Sequence, residues 1–204
     1  MTLKLYYKAG ACSLAPHIVA CEAGVPVELV AVDLATKKTA SGDDYYKVNP
    51  NGYVPALEIP GGPVLTEASV VCQYIADQKP ESGLMPAPGS IDRYRAQQWL
   101  AFISTELHKT VGVFFKPNST DQMKEIALAA LDTRLRFLDS QLAGSKFLVG
   151  DSFTAADAYA TVVLSWMKFA GIDLANYPNI KRFQDEVAAR PGVQQARREE
   201  GLPV

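Results

Sequence analysis

The residues with the greatest chemical potential lie early, in the run Gly10-Ala11-Cys12-Ser13-Leu14-Ala15-Pro16. A thiol stands there between a short apolar stretch and a helix-like one. The N–H groups and dipole at a helix start favour a thiolate, which lowers the thiol pKa and makes the sulfur a nucleophile. A buried, inert thiol fits the same position, since free cysteine is among the most buried residue types. Position 15 is alanine, so there is no Cys-x-x-Cys pair. A mixed disulfide on Cys12 would need an outside thiol to resolve it. Cys21 and Cys72 fall within apolar helical patterns and read as core filler. The three cysteines have neither metal-ligand nor disulfide-scaffold spacing, which predicts a reduced, cytoplasmic protein.

Two further places could recognise a peptide-like ligand. Val54-Pro55 follows Asn51-Gly52 at the start of a strand, and X-Pro is the one common site of a cis bond. A cis bond would turn the Val54 N–H and C=O outward, free to pair with an extended peptide. Taken alone, a trans proline at a sheet edge is the ordinary reading. Glu67 closes a strand just ahead of a helix. Its carboxylate can receive an ammonium, while the first helical N–H groups, of Ala68 and Ser69, can hold a carboxylate. An α-amino acid head group carries both charges. Taken alone, an acid placed for the helix dipole explains Glu67 equally well.

The elements that must position these groups follow from periodicity. Residues 3–7 and 27–34 are rich in strand formers, and 14–23 repeat apolar residues at helical spacing, with Leu14, Ile18 and Cys21 on one stripe. Pro16 suits the first turn, and Gly24 followed by Pro26 ends the helix. A strand–helix–strand unit of this kind implies parallel strands. Residues 43–52 predict a short helical turn, 54–59 and 63–67 an antiparallel pair, and 68–78 a helix. The stretch 79–90, with three prolines and two glycines, predicts a linker. Beyond it the period is helical over about 91–116, 121–142, 154–170 and 178–190, with a short final turn. Thr154-Ala155-Ala156-Asp157 has the form of a capping box, with Phe153 placed to staple against Ala158.

Composition narrows the possibilities. With 204 residues and a net charge of −2, the chain can bury a large core and shows no clustered basic footprint for nucleic acid. Residues 158–171 form the most apolar later stretch, too short to span a bilayer and interrupted by Lys168. The N-terminus lacks the pattern of a secretory signal. A soluble protein of two parts is expected.

The runs KLYY-x-x-G-x-C-S-L-x-P-H-I-V, D-L-x-T-K-K-T-x-S-G, N-P-x-G-x-V-P-x-L, L-T-E and G-D-x-F-T-x-A-D-A, in this order and spacing, together resemble a glutathione transferase. Cysteine at position 12, instead of tyrosine or serine, is most similar to the bacterial beta class. The resemblance implies an α/β thioredoxin-like domain (β-α-β-α-β-β-α) over 1–78, a linker over 79–90 and an all-α domain over 91–204 that forms an electrophile cleft. It implies Cys12 against the glutathione sulfur, Val54 before a cis-proline pairing with the cysteinyl part, and Glu67 and Ala68 at the γ-glutamyl end. Lys37 would face the glycine carboxylate, and Tyr53 would pack along the peptide. Thr105, Glu106 and His108 match positions near the glutathione site, some reaching across a dimer interface, with His108 closest to the electrophile. A structural histidine is the alternative there. Val111, Phe114, Phe115 and Trp166 would line the cleft, or else belong to the core. Ala68 lacks the hydroxyl of many relatives, and Ala101 stands where beta-class relatives often have asparagine. Tyr6 and Tyr7 read as structural.

The expected activity is conjugation of the glutathione thiolate to small hydrophobic electrophiles, without metal or other cofactor, in a cytoplasmic homodimer. The alternatives are a glutathione-dependent thiol–disulfide oxidoreductase that uses Cys12, and a non-catalytic binding or regulatory protein on the same fold.

Overall fold

Strands β1 (Leu3–Tyr7) and β2 (Val27–Asp33) pair in parallel, Leu3 opposite Val27 and Tyr7 opposite Ala31, with helix α1 (Leu14–Ala23) crossing between them. The computed structural model describes residues 2–204. Strand β3 (Lys38–Thr39) adds antiparallel to the outer edge of β2. On the other side, β4 (Ala56–Glu58) pairs antiparallel with β1, and β5 (Val64–Thr66) with β4, giving a five-stranded sheet in the order β3-β2-β1-β4-β5. The helical pattern after it becomes α2 (Ala68–Asp77). Strand β3 is absent from the sequence reading, because two residues cannot show a period.

Helix α1 stops where expected. Gly24 adopts φ +66°, and its N–H reaches the carbonyls of Ala20 and Cys21, a left-handed close that costs glycine nothing. The apolar stripe differs from expectation. Every residue from Leu14 to Ala20 is buried, His17 included, whereas Cys21 is only half-buried. The helix lies between the sheet and the helical half of the chain, so more than one face is covered. Cys72 is fully buried in the core. Both faces of β2 are covered too. Val27 and Leu29 lean on the main core, while Val30 packs with the buried Val32 in a second cluster with Tyr6, Tyr45, Val54 and Ala56. The loop before β4 folds over that outer face and so positions Val54.

The stretch 79–90 is anchored against the core. Leu84 and Met85 are buried, the Leu84 carbonyl accepts from the Ala155 N–H, and Arg93 grips Asp77 through both terminal nitrogens at 2.9 and 2.6 Å. Helix α3 (Ile91–Phe102) starts on a Ser90 side-chain cap to the Arg93 N–H. It then widens into a π-helical turn, Ile103–His108, and continues as the one-turn α4 (Lys109–Val111) and a 3-10 turn, Gly112–Phe115. The single helix expected over 91–116 is therefore remodelled in its second half. Helix α5 (Asp121–Leu142) has the expected bounds and a Thr120 cap on the Met123 N–H.

Helix α6 (Ala155–Leu164) is shorter than the period suggests, because a 3-10 turn at Met167–Ala170 replaces its end and closes on Gly171. The capping box is present. Asp157 Oδ2 accepts from both the N–H and the hydroxyl of Thr154, and Phe153 and Ala158 are both buried. Helix α7 (Pro178–Ala188) follows, and the expected final turn is the nine-residue α8 (Pro191–Glu199), packed on α1. One apolar core runs without interruption from the sheet through α1 and α2 into α3, α5, α6 and α7. Among the described residues no helix is long and apolar enough to cross a membrane.

Candidate active site

Cys12 lies in the loop between β1 and α1, one residue before the Ser13 cap position. The Ser13 hydroxyl does not cap the helix. It accepts from the Lys8 N–H and donates to the Lys8 carbonyl, closing the loop on itself. The Cys12 thiol donates to the Val54 carbonyl at 3.1 Å. Of the two readings of this cysteine, the environment favours the unactivated thiol. Burial pushes the Cys12 thiol up to about 12 and the Glu67 charge adds to it, outweighing the backbone N–H groups of Cys12 and Ser13 and the Lys109 charge. Helix-end polarity is a fraction of a charge spread over a turn, and enclosure of the sulfur exceeds it. At neutral pH Cys12 is a thiol, a proton donor.

Two of the expected binding residues, Val54 and Glu67, lie beside that thiol, and Tyr53 and Lys37 are linked to each other on the loop before Val54. Val54-Pro55 is cis, as the resemblance implied. The Val54 N–H has no hydrogen-bond partner among the described residues. Its neighbour Tyr53 has a carbonyl held by the Tyr45 hydroxyl and the Asn49 amide, and a ring that is 70% exposed. The Lys37 ammonium lies 5.5 Å from that ring's centroid and donates to the Gly52 carbonyl at 2.8 Å. Glu67 is exposed at the start of α2, with φ +67°, a left-handed conformation rare outside glycine. Its carbonyl accepts from the Val70 and Val71 N–H groups, which leaves those of Ala68 and Ser69 as open donors beside its carboxylate. Strained backbone of this kind concentrates at ligand sites.

On the helical side, the residues expected near the site fall on the π-helical turn, a feature enriched at functional sites. They are not gathered together. The exposed Thr105 donates its hydroxyl to the Ala101 carbonyl, and Glu106 pairs with Arg134 of α5 at 2.9 Å. His108 Nδ1 lies 2.6 Å from the Tyr159 hydroxyl, and the imidazole stacks edge-on against Trp166 at 4.9 Å. Burial, with the Lys109 charge adding, pushes His108 down to about 4. Burial also raises the Tyr159 phenol, so the phenol keeps its proton and the pair is a neutral hydrogen bond whose donor follows the His108 tautomer. His108 is thus neutral at pH 7. Its stability contribution is full above the ordinary 6.5 and is lost as pH falls toward 4, because the unfolded chain binds the proton first. The loss reaches at most about 3 kcal/mol. Urea titrations of wild type and His108→Gln between those limits should show a shallower acid decline in the variant. Equal slopes would refute a depressed His108.

The apolar residues divide. Val111 is fully buried and belongs to the core, so it does not line a cleft. Phe114 is half-buried against the same core. Phe115 is 50% exposed and stacks on Trp166 and on the equally open Phe169, which the sequence reading omitted. Trp166 is nearly buried, and its indole N–H donates to the Gly10 carbonyl at 2.9 Å, fastening the Cys12 loop to the helical half.

A second fastening comes from the C-terminal end. Glu200 accepts from the Gly10 N–H at 3.0 Å and meets His17 Nδ1 at 3.0 Å, while Glu199 meets His17 Nε2 at 2.7 Å. Burial opposes a charge on His17, but Cys21, Glu200 and Glu199 around the ring outweigh it and hold His17 up to about 10. Tyr159, Phe169, Glu199 and Glu200 carry no local signal for these contacts. They are ordinary helix and tail residues whose partners lie far away in the chain.

Comparison with known proteins identifies the family of this fold. Residues 1–77 match the glutathione S-transferase N-terminal domain, and residues 102–191 the C-terminal domain. Glutathione S-transferase GstA of Escherichia coli O157:H7 is 42% identical over 200 residues, covering 98% of this chain and all of the relative. The structure of a sphingomonad glutathione S-transferase complexed with glutathione superposes with a TM-score of 0.94 at 45% identity, covering 98% of this chain and 100% of that one. A bacterial beta class glutathione S-transferase of Sphingomonas chungbukensis superposes equally well, at 0.94 and 43% identity with the same coverage. The chain belongs to the glutathione S-transferase family and is similar to its bacterial beta class.

Proposed function

We propose that the chain conjugates glutathione to small hydrophobic electrophiles, with Cys12 as the proton donor that stabilises the glutathione thiolate. The observation that carries this reading is the Cys12 thiol set against the Val54 carbonyl at the cis Val54-Pro55 bond. Glutathione enters as an extended peptide. Its cysteinyl backbone pairs with the Val54 N–H and C=O, its γ-glutamyl ammonium with Glu67 and its γ-glutamyl α-carboxylate with the Ala68 and Ser69 N–H groups. Its glycyl carboxylate meets Lys37, which keeps two N–H donors beyond the one on Gly52. A carbonyl has two lone pairs, so Val54 can accept from the ligand and from Cys12 together. Turned onto the glutathione sulfur instead, the Cys12 S–H favours the thiolate, the form that attacks.

The electrophile sits on the aromatic surface of Phe115, Trp166 and Phe169, with neutral His108 as the nearest polar group. Residues 1–78 then supply the glutathione side and 91–204 the electrophile side, joined through 79–90. In a homodimer Thr105 and Glu106 approach the partner's site. The raised thiol disfavours the alternative in which Cys12 itself is the attacking thiolate.

The test is conjugation and disulfide exchange in Cys12→Ser and Cys12→Ala. Serine keeps an O–H donor, so kcat/KM for conjugation should stay within about fivefold of wild type. Alanine should lose ~10–100-fold, the value of one hydrogen bond to a charged group. Both variants should lose any mixed disulfide with oxidised glutathione. If serine falls as far as alanine while wild type readily forms the adduct, the thiol–disulfide reading replaces this one.

A further inference from the structure

We propose that His17, Cys21 and Glu199 form a binding site for a zinc-type divalent cation, separate from Cys12, at the junction of α1 and α8. A ring nitrogen of His17, the Cys21 sulfur and a Glu199 carboxylate oxygen all lie within 4.8 Å of one another. His17 and Cys21 are four residues apart on α1 and therefore share a helix face. Glu199 arrives from the last residue of α8. Imidazole, thiolate and carboxylate together suit zinc, a borderline-soft ion that accepts nitrogen, sulfur and oxygen ligands.

The surroundings already have the arrangement that a ligating histidine needs. His17 Nδ1 faces the Glu200 carboxylate, whose side chain is fully buried and whose other oxygen is held by the Gly10 N–H. A carboxylate on one ring nitrogen fixes the tautomer and directs the other nitrogen at the metal. Nε2 is that other nitrogen, and it points at Glu199. The second oxygen of Glu199 accepts from the Gln195 amide, which steadies the carboxylate. Bond lengths near 2.0–2.3 Å put neighbouring ligand atoms of a tetrahedral site roughly 3.3–3.7 Å apart. The present spacing reaches this with small side-chain shifts. Glu199 can supply them, since its side chain is 42% exposed. That exposure also leaves the fourth position to a water molecule. Binding displaces the Nε2 proton and the Cys21 thiol proton to solvent, as thiolate and imidazole ligation requires. The ion would tie α1 to the C-terminal helix at the point where Glu200 holds the Cys12 loop.

Co²⁺ and Zn²⁺ are the probes, added to the metal-stripped full chain as wild type, Cys12→Ser, Cys21→Ser and Glu199→Gln. The expected result is one ion per chain and a thiolate-to-cobalt charge-transfer band in wild type and Cys12→Ser. That band should be lost in Cys21→Ser and need at least tenfold more metal in Glu199→Gln. Zn²⁺ should raise Tm in Cys12→Ser and leave Cys21→Ser unmoved. Absence of the band from folded wild type, its persistence in Cys21→Ser, or its loss in Cys12→Ser alone would overturn the site and leave only the His17–Glu199–Glu200 ion pairs. Should Cys21→Ser fail to fold, Glu199→Gln decides on its own: unchanged affinity there overturns the proposal.

Discussion

Asp157→Ala should destabilise the protein by about 3–5 kcal/mol, read as a lowered urea midpoint with an unchanged slope. Asp157 is fully buried, and its carboxylate accepts from the Leu148 N–H, the Thr154 N–H and the Thr154 hydroxyl, each at 2.8 Å. Alanine leaves all three donors buried and unpaired at about 1–3 kcal/mol each, with some relief from relaxation. Burial pushes the Asp157 carboxyl up to about 6 in spite of the donors, so the enclosure is already unfavourable to a charge and a variant cavity would admit water poorly. Asp157→Asn keeps the shape and one acceptor and should lose less, about 1–2 kcal/mol. The local structure explains the size of the effect. The bonds to Leu148 and Thr154 close the loop between Phe147 and Phe153, whose rings meet edge-on at 5.6 Å, and Arg190 of the segment before α8 lies over Phe153 at 4.0 Å. Helix α6 carries Tyr159, and the turn after it carries Trp166, so the same carboxylate supports the contacts that hold His108 and the Cys12 loop. A loss under 1 kcal/mol would show that water replaces the carboxylate.

Glu67→Gly should separate binding from folding. Removing the carboxylate takes away the partner proposed for the γ-glutamyl ammonium, and calorimetry should show glutathione bound ~10–100-fold more weakly, the value of a charge-assisted hydrogen bond. Stability should hold or rise by up to about 1 kcal/mol, because glycine adopts the +67° φ of this position without the cost a Cβ imposes. Glu67→Ala should bind equally poorly and be the less stable of the two. Glutathione affinity unchanged in both variants would remove Glu67 from the site.

Much of the fold was legible because its signals are local. Helix α5, helix α1 with its Gly24 stop, and the Thr154–Asp157 box depend on residues within a turn or two of one another, and the side-chain period alone marks them. The positions of Val54 and Glu67 were legible for the same reason. A proline after a turn and an acid before a helix announce themselves in sequence. Their role toward one ligand needed the resemblance, since each alone has a plain structural explanation.

Tertiary packing decided the rest. The π-helical turn at Ile103–His108 interrupts a run whose apolar period continues through it, so nothing local marks the change. The Cys12 pKa turns on how fully the sulfur is enclosed, which depends on Val54, Glu67 and the helical half closing around it. Val111 and Phe115, four residues apart, share a pattern, yet one is core and the other surface, because only folding fixes which side α5 and α6 cover. Cys21 read as filler with no metal-ligand spacing. His17 and Glu199, 182 residues apart, meet beside it only in three dimensions. Period and capping act over a few residues through the backbone, whereas burial and side-chain electrostatics are set by whatever the whole chain brings near. For this protein the sequence by itself determined the elements and their order, and the tertiary structure decided the protonation of the candidate groups and which of them meet.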